Sequence, residues 1–341
     1  MRRSTRACLI CLTLLASVAL AGESGYHADR SIMVGGDGFW DYITADTTSH
    51  RLFVTHGTHV QVVDAATDSV VGEIPDTPGV HGVALAYDVG KGFTSNGRDS
   101  SVSVFDLKTL TLTGRIKLQQ RNPDAILYDK ASGRVFTFNG GTANTTAIDA
   151  RTQKVVGTLA LGGKPEAGVT DGTGRIYVNN EDSSTIVEFD AKKLKALHVW
   201  SLAPGESPSG LAFDRAHHRL FSGCDNQKLI VIDSETGRRV ADLPIGEGVD
   251  GVAFDPAQQL VFSSNGEGTL TVIHEDDPDH FRVLENVPTQ KSGRTIALDP
   301  RDGTVYIPAA ELGPPPAPTA DRPHPRASIV PGSFRVVVVH R

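Results

Sequence analysis

Seven related segments follow one another along the chain, and their spacing restricts the fold more than any other feature of the sequence. One unit reads DGVAFDPAQQLVFSSNGEGTLTVIH from Asp250. Its relatives begin at Asp41, His81, Asp124, Glu166, Ser209 and Arg294, at successive spacings of 40, 43, 42, 43, 41 and 44 residues. A period of about 42 residues suits a β-propeller, in which each repeat forms one four-stranded blade.

Every copy divides into short runs rich in Val, Ile, Phe and Tyr, separated by Asp, Gly, Asn and Pro, as expected of strands joined by hairpins. In the sixth copy these runs predict strand A over Gly251 to Phe254, B over Leu260 to Ser263, C over Thr269 to His274 and D over Phe281 to Leu284. No segment shows a 3.6-residue apolar period, so almost no helix is expected. With 35 glycines and 19 prolines in 341 residues the chain is too punctuated for a helical bundle, and with 39% apolar residues it is too hydrophobic for disorder.

The prediction is an all-β, seven-bladed propeller of four-stranded antiparallel blades, forming a single domain over residues 22–341. The last copy ends in Phe334 to His340, which matches a strand C, so its outer strand is missing. The segment Ser31 to Gly35 resembles the strand D run Ala241 to Ile245, and it would close the ring by pairing into the last blade.

The run aromatic-x-x-Asn recurs as Phe93 to Asn96, Phe136 to Asn139, Tyr177 to Asn180 and Phe262 to Asn265; His56, Cys224 and Ala309 take the Asn position elsewhere. On these residues the chain resembles the YVTN-repeat, or YncE-like, seven-bladed β-propeller family, over nearly all of residues 22–341. The resemblance implies a fold and an exported location but no particular activity.

Export is also expected from the N-terminus. Arg2, Arg3 and Arg6 precede an uncharged stretch from Ala7 to Gly22, and Ala19-Leu20-Ala21 offers a small-x-small cleavage site, so residues 1–21 read as a signal peptide and the mature chain as periplasmic or secreted. Cleavage there takes away three of the 33 basic residues and none of the 40 acidic ones, leaving a formal charge of -10. Nucleic acid is then an improbable partner, since phosphate binding needs clustered cations. No transmembrane segment is expected in the mature chain. Cys8 and Cys11 leave with the signal, so Cys224 has no intrachain partner.

Strand A of a propeller starts at one face and runs down the central channel, so the first residues of the copies should meet at the channel mouth. They are Asp41, His81, Asp124, Glu166, Ser209, Asp250 and Arg294. Four acids around one opening suit a divalent metal ion, a small polar ligand or an envelope protein partner. Trp40, beside Asp41, is positioned to wall the mouth. His56 and His81 in adjacent blades, with Asp41, form the candidate metal set. The repeated asparagines read as turn-formers, and Cys224 as a small buried residue.

The seventh copy carries a Pro-rich insertion, residues 311–333, where the other copies have a short B to C turn. It should lie over or beside the mouth as a lid, supplying Arg322, His324 and Arg326 to the acidic ring.

Other motifs carry less. Gly246-x-Gly-x-x-Gly251 has the letters of a dinucleotide fingerprint but joins two strands and opens no helix. His274 to His280 (HEDDPDH) reads as a solvated C to D connection on the opposite face, and Asn144-Thr145-Thr146 is a formal glycosylation sequon. No CxxCH, HExxH or GxSxG occurs. Three functions fit this reading. The first is a non-enzymatic binding protein; the second, a metal-dependent hydrolase, lyase or oxidase with His81, Glu166 and Asp250 as catalytic groups; the third, a surface adhesion module, for which the chain shows no stalk or anchor.

Overall fold

The structure, a computed structural model, describes residues 24–36, 38–319 and 327–341. Its strands, β1 to β28 in chain order, form seven four-stranded antiparallel sheets. The inner strands are β2 (Trp40–Asp46), β6 (Val80–Ala86), β10 (Pro123–Asp129), β14 (Pro165–Thr170), β18 (Pro208–Asp214), β22 (Val249–Asp255) and β26 (Ala297–Asp299). Among the described residues the one helical element is a 3-10 turn, Tyr87–Val89. None of the described helices is long and apolar enough to cross a membrane.

Ring closure follows the sequence expectation. Strand β1 (His27–Met33) pairs antiparallel with β28 (Arg335–His340), giving the sheet order β1-β28-β27-β26, where β27 is Thr304–Ala309. The paired segment starts four residues earlier than the Ser31 to Gly35 reading. The seam is reinforced beyond the ladder: the Tyr26 hydroxyl donates to the Gly303 carbonyl at 3.0 Å, and Arg341 lies 5.4 Å from the Tyr26 ring.

Strands B and C of each blade carry the buried Val, Ile and Phe side chains, and the cores lie between blades. One cluster joins Phe136, Phe138 and Ala147 of the third blade to Ile176, Val178 and Phe189 of the fourth. At the channel the blades converge so closely that side chains must be small. A Cβ on Gly210 would lie 2.6 Å from the Val252 backbone nitrogen of the next blade, and one on Gly251 2.8 Å from that of Ile296.

Three local expectations change. The recurrent asparagines do not form turns: Asn96, Asn139 and Asn265 are fully buried at the ends of their strands. The Asn139 amide donates to Asn144 at 2.8 Å and Thr146 at 2.9 Å while accepting from Thr137, so it ties hydroxyls of strands B and C together inside the blade. The turns are made by aspartates instead. Asp64, Asp106, Asp149, Asp190 and Asp233 end strand C and accept N–H groups of the following turn.

The HEDDPDH segment is mostly strand, with β24 (Thr269–Asp277) and β25 (His280–Pro288) meeting across Pro278 and Asp279. Within it Glu275 is 1% exposed, so burial against the neighbouring blade replaces the expected solvation. Finally, β26 is only three residues long, and Arg294 lies in irregular chain before it.

Candidate functional site at the channel mouth

The first residues of all seven copies line one cavity of about 570 Å³: Asp41, His81, Asp124, Glu166, Ser209, Asp250 and Arg294. A shared backbone irregularity aims the first six there. Strands β2, β6, β10, β14, β18 and β22 each slip register against their strand B partner, between Trp40/Ile43, Val80/Val83, Pro123/Ile126, Pro165/Gly168, Pro208/Leu211 and Val249/Gly251. The hub residue sits inside each bulge, where the strand bends and a side chain can be re-aimed.

Polar side chains from strand B hold these bulges from below. The Asp41 N–H donates to Thr55 Oγ1 at 3.1 Å, and the Gly82 N–H to Ser95 Oγ at 3.0 Å. Ser95 in turn donates to the Asp124 carbonyl of the next blade, and Asn179 to the Ser209 and Gly210 carbonyls at 3.1 and 3.0 Å. Thr295 donates to the Asp41 carbonyl at 2.7 Å between the seventh and first blades. The hub backbone is therefore fixed from blade to blade before any ligand arrives.

The side chains group into three ion-paired sets. His81 Nδ1 lies 2.6 Å from Asp41 Oδ2 and 3.5 Å from Asp124 Oδ1. Lys164 Nζ is 2.8 Å from Glu166 Oε1 and also pairs with Glu181. Arg294 approaches Asp250 at 3.0 Å.

These cations do not neutralise the acids. Burial, with Asp41 and Asp250 nearby, pushes Asp124 up to about 7 in spite of His81. Burial and the field of Asp124 push Glu166 up to about 8 in spite of Lys164. Asp250 is raised to about 6, chiefly by burial, with Arg294 opposing. Burial works against a charge on His81, yet its hydrogen bond to Asp41 and the field of Asp124 prevail and push it up to about 9. The imidazole is thus protonated at neutral pH. Tyr42 lines both this cavity and the narrower channel below it, and burial followed by the surrounding carboxylates raises its hydroxyl well above the usual range.

A second cavity of about 560 Å³ adjoins the first, sharing Phe39, Trp40, Glu181, Ser209, Asp250 and Arg294, and adds Asp225, Leu312 and Ala327. Trp40 walls both, stacked on Phe334 at 5.2 Å. Phe39 stands 55% exposed at the rim. The stalk of the insertion is a short hairpin in which Leu312 bridges Ile329 and the Gly313 N–H donates to the Ser328 carbonyl at 2.8 Å. Leu312 and Ala327 bring that stalk beside the mouth; Arg322, His324 and Arg326 lie outside the described residues, as do Cys8 and Cys11.

His56 does not join the hub. Its ring is buried against Phe334 and His59, with centroids at 4.6 and 4.9 Å, and tucked under Gly36, where a Cβ would meet its Cε1 at 2.8 Å. The groups that do converge are Asp41, His81 and Asp124, each offering a ligand atom within 4.8 Å of the others. Asp124 thus stands where the sequence reading put His56. The Asn-position residues likewise turn into the blades, not the mouth. Cys224 is buried, and burial pushes its thiol up to about 12.

Sequence reasoning did not single out Lys164, Glu181, Asp225, Arg98 or Tyr42. A signal was available for three of them. Lys164 stands two residues before the hub position of its copy, and Glu181 and Asp225 follow the Asn position of theirs; both registers face the mouth. On the opposite face, His217 Nδ1 lies 2.6 Å from Asp214 and 3.5 Å from Glu275 of the next blade.

No family model matches the chain, and no curated protein matches it in sequence. Among solved structures it is similar to a chain of one described as the crystal structure of a mitotic checkpoint complex, at 13% identity and a TM-score of 0.75, covering 100% of this chain and 99% of that one. At that identity the likeness concerns the fold alone, and 1830 solved chains share it.

Proposed function

We propose that this protein is a binding protein whose channel mouth takes a small organic cation, its charged group seated among the hub carboxylates and its apolar part against Trp40 and Phe39. One observation carries the reading: Asp41, Asp124, Glu166, Glu181, Asp225 and Asp250 line the joined cavities against His81, Lys164, Arg294 and Arg98. The excess is felt as raised proton affinity at Asp124 and Glu166, and a bound cation would substitute for those protons. The aromatic wall adds a face suited to an ammonium or guanidinium group. Calorimetric titration with arginine and a diamine, in the protein and in Asp124→Asn with Glu166→Gln, tests this. Binding that the double variant retains unchanged would refute it.

A second reading places a divalent metal ion at Asp41, His81 and Asp124, favoured by the convergence of those three ligand atoms. The residues fit the group: a histidine and two carboxylates suit zinc or manganese, provided His81 releases its proton. A metal would acidify a bound water, and Glu166 or Asp250 would accept the proton. Elemental analysis of the protein and of His81→Ala separates this reading from the first.

We further infer membership of the YVTN-repeat family, supported by the recurrent buried Asn, and export to the periplasm or medium, supported by Arg2, Arg3, Arg6 and the apolar run after them. The partner is then a small ligand or an envelope protein met outside the cytoplasm. N-terminal sequencing of the protein recovered from cell fractions tests both the cleavage site and the compartment.

A further inference from the structure

The strand pairing that closes the ring carries two histidines and an aspartate away from the mouth. His27 and His340 face each other directly across β1 and β28, with ring centroids 4.8 Å apart. Between the pairs Ala28↔Val339 and Arg30↔Val338 the register slips, and Asp29 is the extra residue of that bulge. Ordinary alternation would send Asp29 and His27 to one face with Ala28 between them; the bulge additionally brings the Asp29 carboxylate over the imidazole of the partner strand.

The contacts are arranged from two sides. His340 Nε2 lies 3.0 Å from Asp29 Oδ1, and His27 Nε2 lies 3.6 Å from Asp29 Oδ2. Each ring's other nitrogen meets a main-chain oxygen: His340 Nδ1 that of Arg341 at 2.9 Å, His27 Nδ1 that of Gly25 at 3.2 Å. A main-chain acceptor at Nδ1 of each ring leaves Nε2 turned toward Asp29; without metal, His340 Nε2 donates its proton to that carboxylate, and a bound cation would displace the proton.

We propose that His27, Asp29 and His340 bind a divalent transition-metal ion, zinc in the first instance, that staples the N-terminal strand to the C-terminal strand of the last blade. All three ligand atoms lie within 4.8 Å of one another. Zinc–nitrogen and zinc–oxygen bonds of about 2.0–2.1 Å in tetrahedral geometry separate neighbouring ligand atoms by roughly 3.3 Å. The two imidazole nitrogens stand 3.0 and 3.6 Å from different oxygens of Asp29, so rotation of these side chains would bring both nitrogens and one carboxylate oxygen to that spacing, with water completing the coordination. Two imidazoles and one carboxylate form a donor set that favours zinc, nickel or copper over calcium and magnesium. The placement gives the ion a structural consequence. Every other blade is one continuous stretch of chain, whereas this one is held by pairing between the two ends, and a metal bridging β1 to β28 resists opening there.

The test uses tag-free protein stripped with a chelator, with His81→Ala as the parent so that any metal at the mouth is silenced. Zinc titration by calorimetry should show one equivalent bound. Melting with zinc at a hundredfold excess over its dissociation constant should gain about 4 °C. His340→Gln and Asp29→Asn, on opposite strands and both partly exposed, should each weaken zinc binding at least tenfold and abolish the gain, while melting like the parent without zinc. Zinc binding that survives both substitutions, or a parent that binds none, overturns the site. Binding without a gain in melting temperature overturns the staple. Loss of metal in the parent but not in the unmutated protein would leave the hub as the metal site and refute this one.

Discussion

Replacing Asp124 by asparagine removes one hub charge while keeping nearly the same shape. Folding and burial raise Asp124 from an ordinary 3.8 to about 7, and this net result already includes the favourable field of His81. Its ionised form is therefore a cost to the native state. The sign follows from linkage: the native protein binds this proton more tightly than the unfolded chain, so the contribution is fully present below pH 3.8 and lost as pH rises through about 7. At about 1.4 kcal/mol per pH unit the ceiling is about 4 kcal/mol. The mouth is open to water and Asp124 keeps 14% of its side-chain exposure, which reduces the effect to about 1–2 kcal/mol. For a chain of this length, with about 2.1 cal/mol/K of unfolding entropy per residue, each kcal/mol is worth about 1.5 °C. Asp124→Asn should melt about 1.5–3 °C above the unmutated protein at pH 8, and within about 0.5 °C of it at pH 4. Scanning calorimetry at the two pH values decides. A loss at pH 8 would show that His81 makes the carboxylate net stabilising, and an equal gain at both pH values would show that the effect does not come from its ionisation; either refutes the picture of an over-acidic hub.

Affinity for a cation at the mouth should rise between pH 6 and pH 8, as Asp250, Asp124 and Glu166 release protons near 6, 7 and 8, with proton uptake by the buffer measurable in the same titration. Asn139→Ala should cost about 2–3 kcal/mol, read as a shifted urea midpoint, because Asn144 and Thr146 lose a buried donor. Gly210→Ala should destabilise by at least about 2 kcal/mol, since its Cβ would fall 2.6 Å from the Val252 nitrogen; a neutral result would mean the blades can separate. Thiol reagents should label Cys224 only as the protein unfolds, given its burial and raised proton affinity, and labelling at the native rate of a free thiol would contradict that placement.

The aspartates explain why a count of acidic residues overstates the binding surface. Those that end strand C are occupied by turn N–H groups, and Asp46, Asp214 and Asp255 serve the same purpose at the end of strand A. Among the described residues, the acids that line the mouth are those beginning strand A together with Glu181 and Asp225, which follow the Asn position of their copies. Position within the repeat, not residue type, separates the two groups.

Fold and ring membership were legible in the sequence because both follow from a period. A repeat near 42 residues fixes seven blades, and equivalent positions in a closed ring must meet, which brought Asp41 to Arg294 together although 253 residues separate them in the chain. Side-chain direction within a blade has no such period. That His56 turns under Gly36 while Asp124 reaches His81, and that Asn139 serves hydroxyls inside the blade, depend on bulges and on packing against the adjacent sheet. The same holds for Glu275, whose burial comes from the fifth blade, and for Asp29, which a single register slip sets between two histidines. The chain's periodicity determined which residues share a neighbourhood; local backbone irregularity and contact between blades decided which of them touch.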